Sequence, residues 1–113
     1  VGKPVIHLLK ERGARVEVVT RTTTSEDKQR LLAEADVIVS ATGVAKLITG
    51  EMVKDGVIVV DAGTSESSGA IVGDVDFDTV SPRASFVTPT PGGVGPVTVA
   101  CLFMNVLAVS KTL

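Results

Sequence analysis

Two short runs do most to restrict the fold: Val37-Ile38-Val39-Ser40-Ala41 and Val57-Ile58-Val59-Val60-Asp61. Each is apolar and β-branched at consecutive positions rather than alternate ones. A strand with one wet face alternates polar and apolar residues. An unbroken apolar run fits a strand covered on both faces, the situation of a parallel sheet between layers of helices. Each run ends in small residues, Thr42-Gly43 after the first and Ala62-Gly63-Thr64-Ser65 after the second. Open α/β sheets hold ligands at the carboxyl ends of their strands, so these are either ligand turns or plain connections.

The stretches between the strands read as helices. Pro4 suits a first helical position, Val5, Ile6, Leu8 and Leu9 supply an apolar face, and Gly13 ends the helix. His7 falls with Lys10 and Glu11 on the polar side and reads as a solvated histidine. Val16 to Thr20 predicts a strand. Thr24 or Ser25 caps the next helix, with Asp27 three residues after Thr24, and Leu31, Leu32 and Ala35 turn inward. Thr49 to Lys54 predicts a short capped helix ended by Gly56, and Ser65 to Gly69 a loose surface loop.

Composition narrows the class. With 113 residues the chain suits one domain, and 44% hydrophobic content without Trp or Tyr predicts an aliphatic core. A formal net charge of −2 gives no electrostatic case for nucleic acid or a membrane surface. Cys101 is the sole cysteine, so no internal disulfide can form and a reducing cytoplasm is the simpler location. No run of about 18 apolar residues is present. Asp74 and Asp76 stand two apart, a spacing that invites a metal or an acid–base pair. Asp76-Phe77-Asp78 reads better as a short helix with acids in its first turn, so no metal site is assigned.

The remaining feature is Pro89-Thr90-Pro91-Gly92-Gly93-Val94-Gly95-Pro96-Val97-Thr98, with three prolines and three glycines in ten residues. Proline stiffens such a loop and glycine bares its backbone, so it can hold one shape while touching a ligand. Pro96 suits the first turn of the helix that follows, where its missing N–H does no harm. Val97 to Leu113 is apolar almost throughout, and a helix apolar on all sides needs cover from another domain or subunit.

Pro91 to Thr98 resembles the P-G-G-V-G-P-M-T signature of the bifunctional methylenetetrahydrofolate dehydrogenase/methenyltetrahydrofolate cyclohydrolase family, with Val97 in place of the methionine. Val72-Gly73-Asp74-Val75-Asp76-Phe77 and Val1-Gly2-Lys3-Pro4 are also similar to that family, in its order and spacing. The resemblance implies a Rossmann-like, doubly wound parallel sheet, three-layer αβα, lacking its first strand. It also implies that a G-R-S segment and an amino-terminal catalytic domain precede Val1. The catalytic lysine and tyrosine would lie in that domain, so no catalytic side chain is assigned here.

The cofactor implied is a nicotinamide dinucleotide. An acid at the end of the second strand would hold the ribose of NAD. Thr20-Arg21-Thr22 offers a cation and hydroxyls instead, which points to the 2′-phosphate of NADP or to an ordinary polar turn. By resemblance Val1, Gly2, Thr42, Gly43, Gly63 and Thr64 complete the cofactor site. Folate would meet Pro91, Gly92, Gly93, Val94, Gly95, Pro96 and Thr98. A homodimer is the expected assembly. Two rival readings are a Rossmann dehydrogenase for another substrate and a non-catalytic nucleotide-binding module.

Overall fold

The computed structural model of the protein describes residues 1–112. The valine runs form a three-stranded parallel sheet. β1 (Val37–Ser40) pairs with β2 (Ile58–Asp61), with Val37 opposite Ile58 and Ser40 opposite Asp61. β5 (Phe86–Val87) lies on the other side of β2, giving the order β1-β2-β5. Alternate residues point to opposite faces of the sheet. Ile38, Ser40, Val59 and Asp61 are buried on one face, whereas Val37, Val39 and Ile58 are exposed on the other.

Helices α2 (Ser25–Glu34) and α3 (Phe77–Val80) and a 3-10 turn (Gly50–Met52) contribute to the core. That core contains Leu32, Ile38, Ile48, Val53, Val57, Val59, Val75 and Val80. It is aliphatic, as the composition predicts. Thr24 caps α2, its Oγ1 accepting the Asp27 N–H at 3.2 Å. Thr49 precedes the 3-10 turn but makes no cap, so the expected capped helix is only this tighter turn. Gly50 is held against α3, because a Cβ there would lie 2.0 Å from Thr79 O.

Two segments differ from the sequence reading. Val16 to Thr20 forms no strand. Its composition is suitable, but a strand needs a ladder partner and none of the described residues runs beside it. Ser65 to Gly69 belongs to a hairpin rather than a loose loop. β3 (Ser65–Ser67) pairs antiparallel with β4 (Ala70–Val72) through Ser68 and Gly69, at φ 52° and 80°. Positive φ at both central residues matches the twist of a two-residue hairpin turn.

α1 (Gly2–Glu11) and α4 (Val94–Ser110) bury none of their residues. The accessible surface of 8044 Å² exceeds the roughly 5,800 Å² expected for a compact monomer of this mass. The radius of gyration of 15.4 Å likewise exceeds the about 13 Å of a compact domain of similar length. One face of the sheet is therefore packed, not the two that the unbroken apolar runs predict, while the apolar helix at the end of the chain stands open, as its sequence leads one to expect. α4 starts at Val94, which places Pro96 in its first turn as expected; Leu113 lies outside the described residues.

Candidate functional site

The expected ligand turns meet at the carboxyl ends of β1 and β2. Ser40 and Asp61 are directly paired, so the residues after them leave the sheet side by side. A Cβ on Gly43 would lie 3.7 Å from Thr64 O, which makes the Thr42-Gly43 and Gly63-Thr64 turns neighbours. Thr42, Gly43 and Thr64 are exposed and Gly63 is buried.

Two buried carboxylates hold these turns in shape. Asp61 accepts N–H groups from Gly63 at 3.0 Å, Asp74 at 3.1 Å and Val75 at 3.0 Å. Asp74, fully covered, accepts the Ser40 hydroxyl at 2.6 Å and the N–H groups of Thr42 at 2.7 Å and Gly43 at 3.0 Å. A buried carboxylate without partners would be very costly, and these donors remove that cost. Burial by itself would raise the Asp74 carboxyl above its ordinary value. The Ser40 hydroxyl and the Thr42 and Gly43 donors outweigh it and hold the group below that value.

Glycine makes the arrangement possible. A Cβ on Gly63 would sit 1.9 Å from Asp74 Oδ1, and one on Gly73 would sit 2.0 Å from Asp61 Oδ2. Each acid thus rests against the glycine that neighbours the other. The Asp74 backbone is also fixed, since its carbonyl accepts the Ile48 N–H at 3.0 Å. Sequence alone gives neither acid a role. The available signal was the pairing of Gly73 with Asp74 and of Asp61 with Gly63, two positions on. Asp76 precedes α3 and Asp78 lies in its first turn, as the sequence predicts.

The Pro/Gly loop joins the same region from β5. Thr88 Oγ1 accepts the Asp61 N–H at 2.8 Å, and a Cβ on Gly73 would lie 2.7 Å from Thr90 Oγ1. A cavity of about 280 Å³ beside it is lined by Asp61, Gly73, Asp76, Thr88, Pro89 and Thr90. Gly92 has φ 100°, a conformation that other residues rarely adopt. Gly93 is needed for space, because a Cβ there would meet Pro89 O at 2.3 Å. Gly95 has no such neighbour within 4 Å. Pro91, Gly92, Gly95, Pro96 and Thr98 are exposed, Gly93 and Val94 half-buried. The Thr98 hydroxyl donates to Val94 O at 3.0 Å.

The remaining expected cofactor residues lie apart from this centre. Thr20, Arg21 and Thr22 form a turn tied within itself, Thr20 Oγ1 and Thr22 Oγ1 lying 2.9 Å apart with Arg21 exposed. Val1 and Gly2 start α1. Among the described residues no hydrogen bond joins α1 or that turn to the sheet. His7 lies 3.2 Å from Glu11 on the surface of α1.

Comparison with known proteins agrees with this geometry. Residues 1–113 match the family described as tetrahydrofolate dehydrogenase/cyclohydrolase, NAD(P)-binding domain. The bifunctional protein FolD of Lactobacillus acidophilus is 50% identical over 111 residues, 98% of this chain and 38% of that protein. The chain thus spans under half the length of the relatives it matches. The FolD crystal structure from Campylobacter jejuni superposes with a TM-score of 0.93 at 45% identity, covering 99% of this chain and 39% of that one. The Trypanosoma brucei methylenetetrahydrofolate dehydrogenase-cyclohydrolase, complexed with NADP cofactor and inhibitor, gives 0.90 at 42% identity, covering 98% and 40%. With its parallel α/β sheet, its Gly-rich turns and this match over its whole length, the chain belongs to the tetrahydrofolate dehydrogenase/cyclohydrolase NAD(P)-binding domain family.

Proposed function

We propose that this chain is the NADP-binding part of an enzyme that oxidises 5,10-methylenetetrahydrofolate and hydrolyses the methenyl product to 10-formyltetrahydrofolate. The observation that carries the reading is the seating of the Pro/Gly loop beside Asp61 and Gly73, where Asp61 and Asp74 hold the turns after β1 and β2, in a chain that matches the family throughout. NADP would supply a hydride acceptor for the methylene carbon; water then adds to the methenyl carbon, a proton is lost and the bond from that carbon to N5 breaks, leaving the formyl group on N10. The chain's own residues bind and orient.

Arg21, with Thr20 and Thr22, holds the 2′-phosphate. Val1, Gly2, Thr42, Gly43, Gly63 and Thr64 line the rest of the dinucleotide. Pro91, Gly92, Gly93, Val94, Gly95, Pro96 and Thr98 bring backbone against the folate. Catalytic side chains come from an amino-terminal domain. That domain and a second copy of the chain are its partners; the exposed apolar α4 supports such cover. The lone Cys101 supports a cytoplasmic location.

Spectrophotometric assay of the intact protein with methylenetetrahydrofolate and NADP tests the reading. Production of NADPH and of 10-formyltetrahydrofolate is expected. Binding of NADP without folate turnover would overturn the enzymatic part.

A further inference from the structure

Thr42 and Gly43 are exposed, yet both of their N–H groups point inward onto Asp74. Bare backbone amides in a turn are donors that can grip a phosphate. Here they are already engaged by a carboxylate. Thr42 Oγ1 is also occupied, accepting the Val44 N–H at 3.2 Å. The surface left to a ligand is backbone Cα–H and carbonyl over a buried negative charge. Such a surface suits an uncharged or positively charged ring and repels a phosphate.

The same carboxylate governs the neighbouring turn. Gly63 packs directly on it, and the N–H groups of Gly63 and Asp74 both donate to Asp61. Moving Asp74 would therefore disturb both ligand turns, although neither of its oxygens faces the surface.

We propose that Asp74 is a positioning residue of the cofactor site, turning the Thr42-Gly43 amides away from the ligand and seating Gly63 beneath it. The inference rests on the proposed NADP reading.

The test combines NADP titration with amide hydrogen exchange on the intact protein and its Asp74→Asn variant. An asparagine carries an N–H₂ where the native site needs only acceptors, so one donor must be left unpaired. The amides of Thr42, Gly43 and Gly63 should exchange faster while Val59 in the core keeps its protection. NADP affinity should fall about 10- to 100-fold, the range for one buried hydrogen-bonding group left unpaired. If Asp74→Asn does not fold, Ser40→Ala removes a single donor and should give the same pattern at smaller amplitude. Unchanged protection at Thr42 and Gly43, or faster exchange with unchanged NADP affinity, overturns the proposal. So does loss of protection everywhere, which would mark a purely structural acid. Failure of the unsubstituted protein to bind NADP would overturn the cofactor reading too, and it appears before any substitution is made.

Discussion

Gly63 stands so close to Asp74 that a Cβ would lie 1.9 Å from one carboxylate oxygen. Alanine at 63 must therefore push the acid away from Ser40, Thr42 and Gly43. Leaving even one of these buried groups unpaired costs about 1–3 kcal/mol. Gly63→Ala should lower the unfolding free energy of the intact protein, read from urea titration, by that amount or more. Gly2→Ala, which meets nothing within 4 Å, should stay within about 1 kcal/mol of the parent.

Acid should release Asp74 in a definite direction. Its folded carboxyl titrates below the ordinary 3.8, because the Ser40, Thr42 and Gly43 donors outweigh the upward push of burial. The unfolded chain therefore takes up the proton first as pH falls. The stabilisation is fully present above the ordinary value and is lost as pH drops through the folded one. Ser40→Ala removes the foremost of the lowering contacts. Carbon-detected NMR titration should then place the Asp74 carboxyl higher than in the parent.

The Pro/Gly loop should show graded tolerance. Gly93→Ala meets Pro89 O and is expected to be the most damaging. Gly92→Ala forces a side chain into φ 100° and should cost about 1–3 kcal/mol. Gly95→Ala has open space and should melt close to the parent. Thermal melts of the three variants check the order, and folate kinetics on Gly95→Ala report contact with the substrate alone.

Cofactor choice should follow Arg21. Its guanidinium is exposed on the Thr20 to Thr23 turn, free of any ion pair among the described residues. Arg21→Ala should weaken NADP by about 1.5–3 kcal/mol, the value of a hydrogen bond to a charged group, and leave NAD nearly unchanged. Parallel titrations with both dinucleotides decide it; equal losses would remove Arg21 from 2′-phosphate recognition.

Residues 1–113 expressed alone should self-associate. Leu102, Phe103, Met104, Val106, Leu107 and Val109 are each more than half exposed on α4. Side chains of this kind gain about 1.5–3 kcal/mol each when buried. Light scattering at micromolar concentration should report species heavier than 11.6 kDa. A sharply melting monomer would show that the exposed helix needs no cover.

What could be read from sequence divides along the reach of the interactions. The strands within Val37–Ala41 and Val57–Asp61 were legible because an unbroken β-branched run suffices to place a strand, though only one of its faces is covered within this chain. Val16 to Thr20 has similar residues, yet its state depends on a neighbour that its own residues do not encode. The Ser65 to Val72 hairpin was hidden because its turn is Ser68-Gly69, with a non-glycine residue at positive φ. Asp61 and Asp74 lie 13 positions apart, and Asp74 reaches 34 positions back to Ser40. No local period shows such a contact. Read locally, Asp74 pairs only with Asp76, two positions on in the chain. The glycines beside the two acids were the visible trace of the close packing.

α4 carries its apolar residues around the whole circumference, so hydrophobic burial gives the helix adhesion without an azimuth. Any rotation about its axis would bring a similar surface against a covering partner. Its angular setting must come from its ends, and at the amino end the chain is pinned where Gly93 presses on Pro89 and Thr88. The Thr88 to Gly93 segment therefore works as an indexing stop for the helix. A one-residue insertion there would leave α4 as greasy as before but free to dock in the wrong orientation.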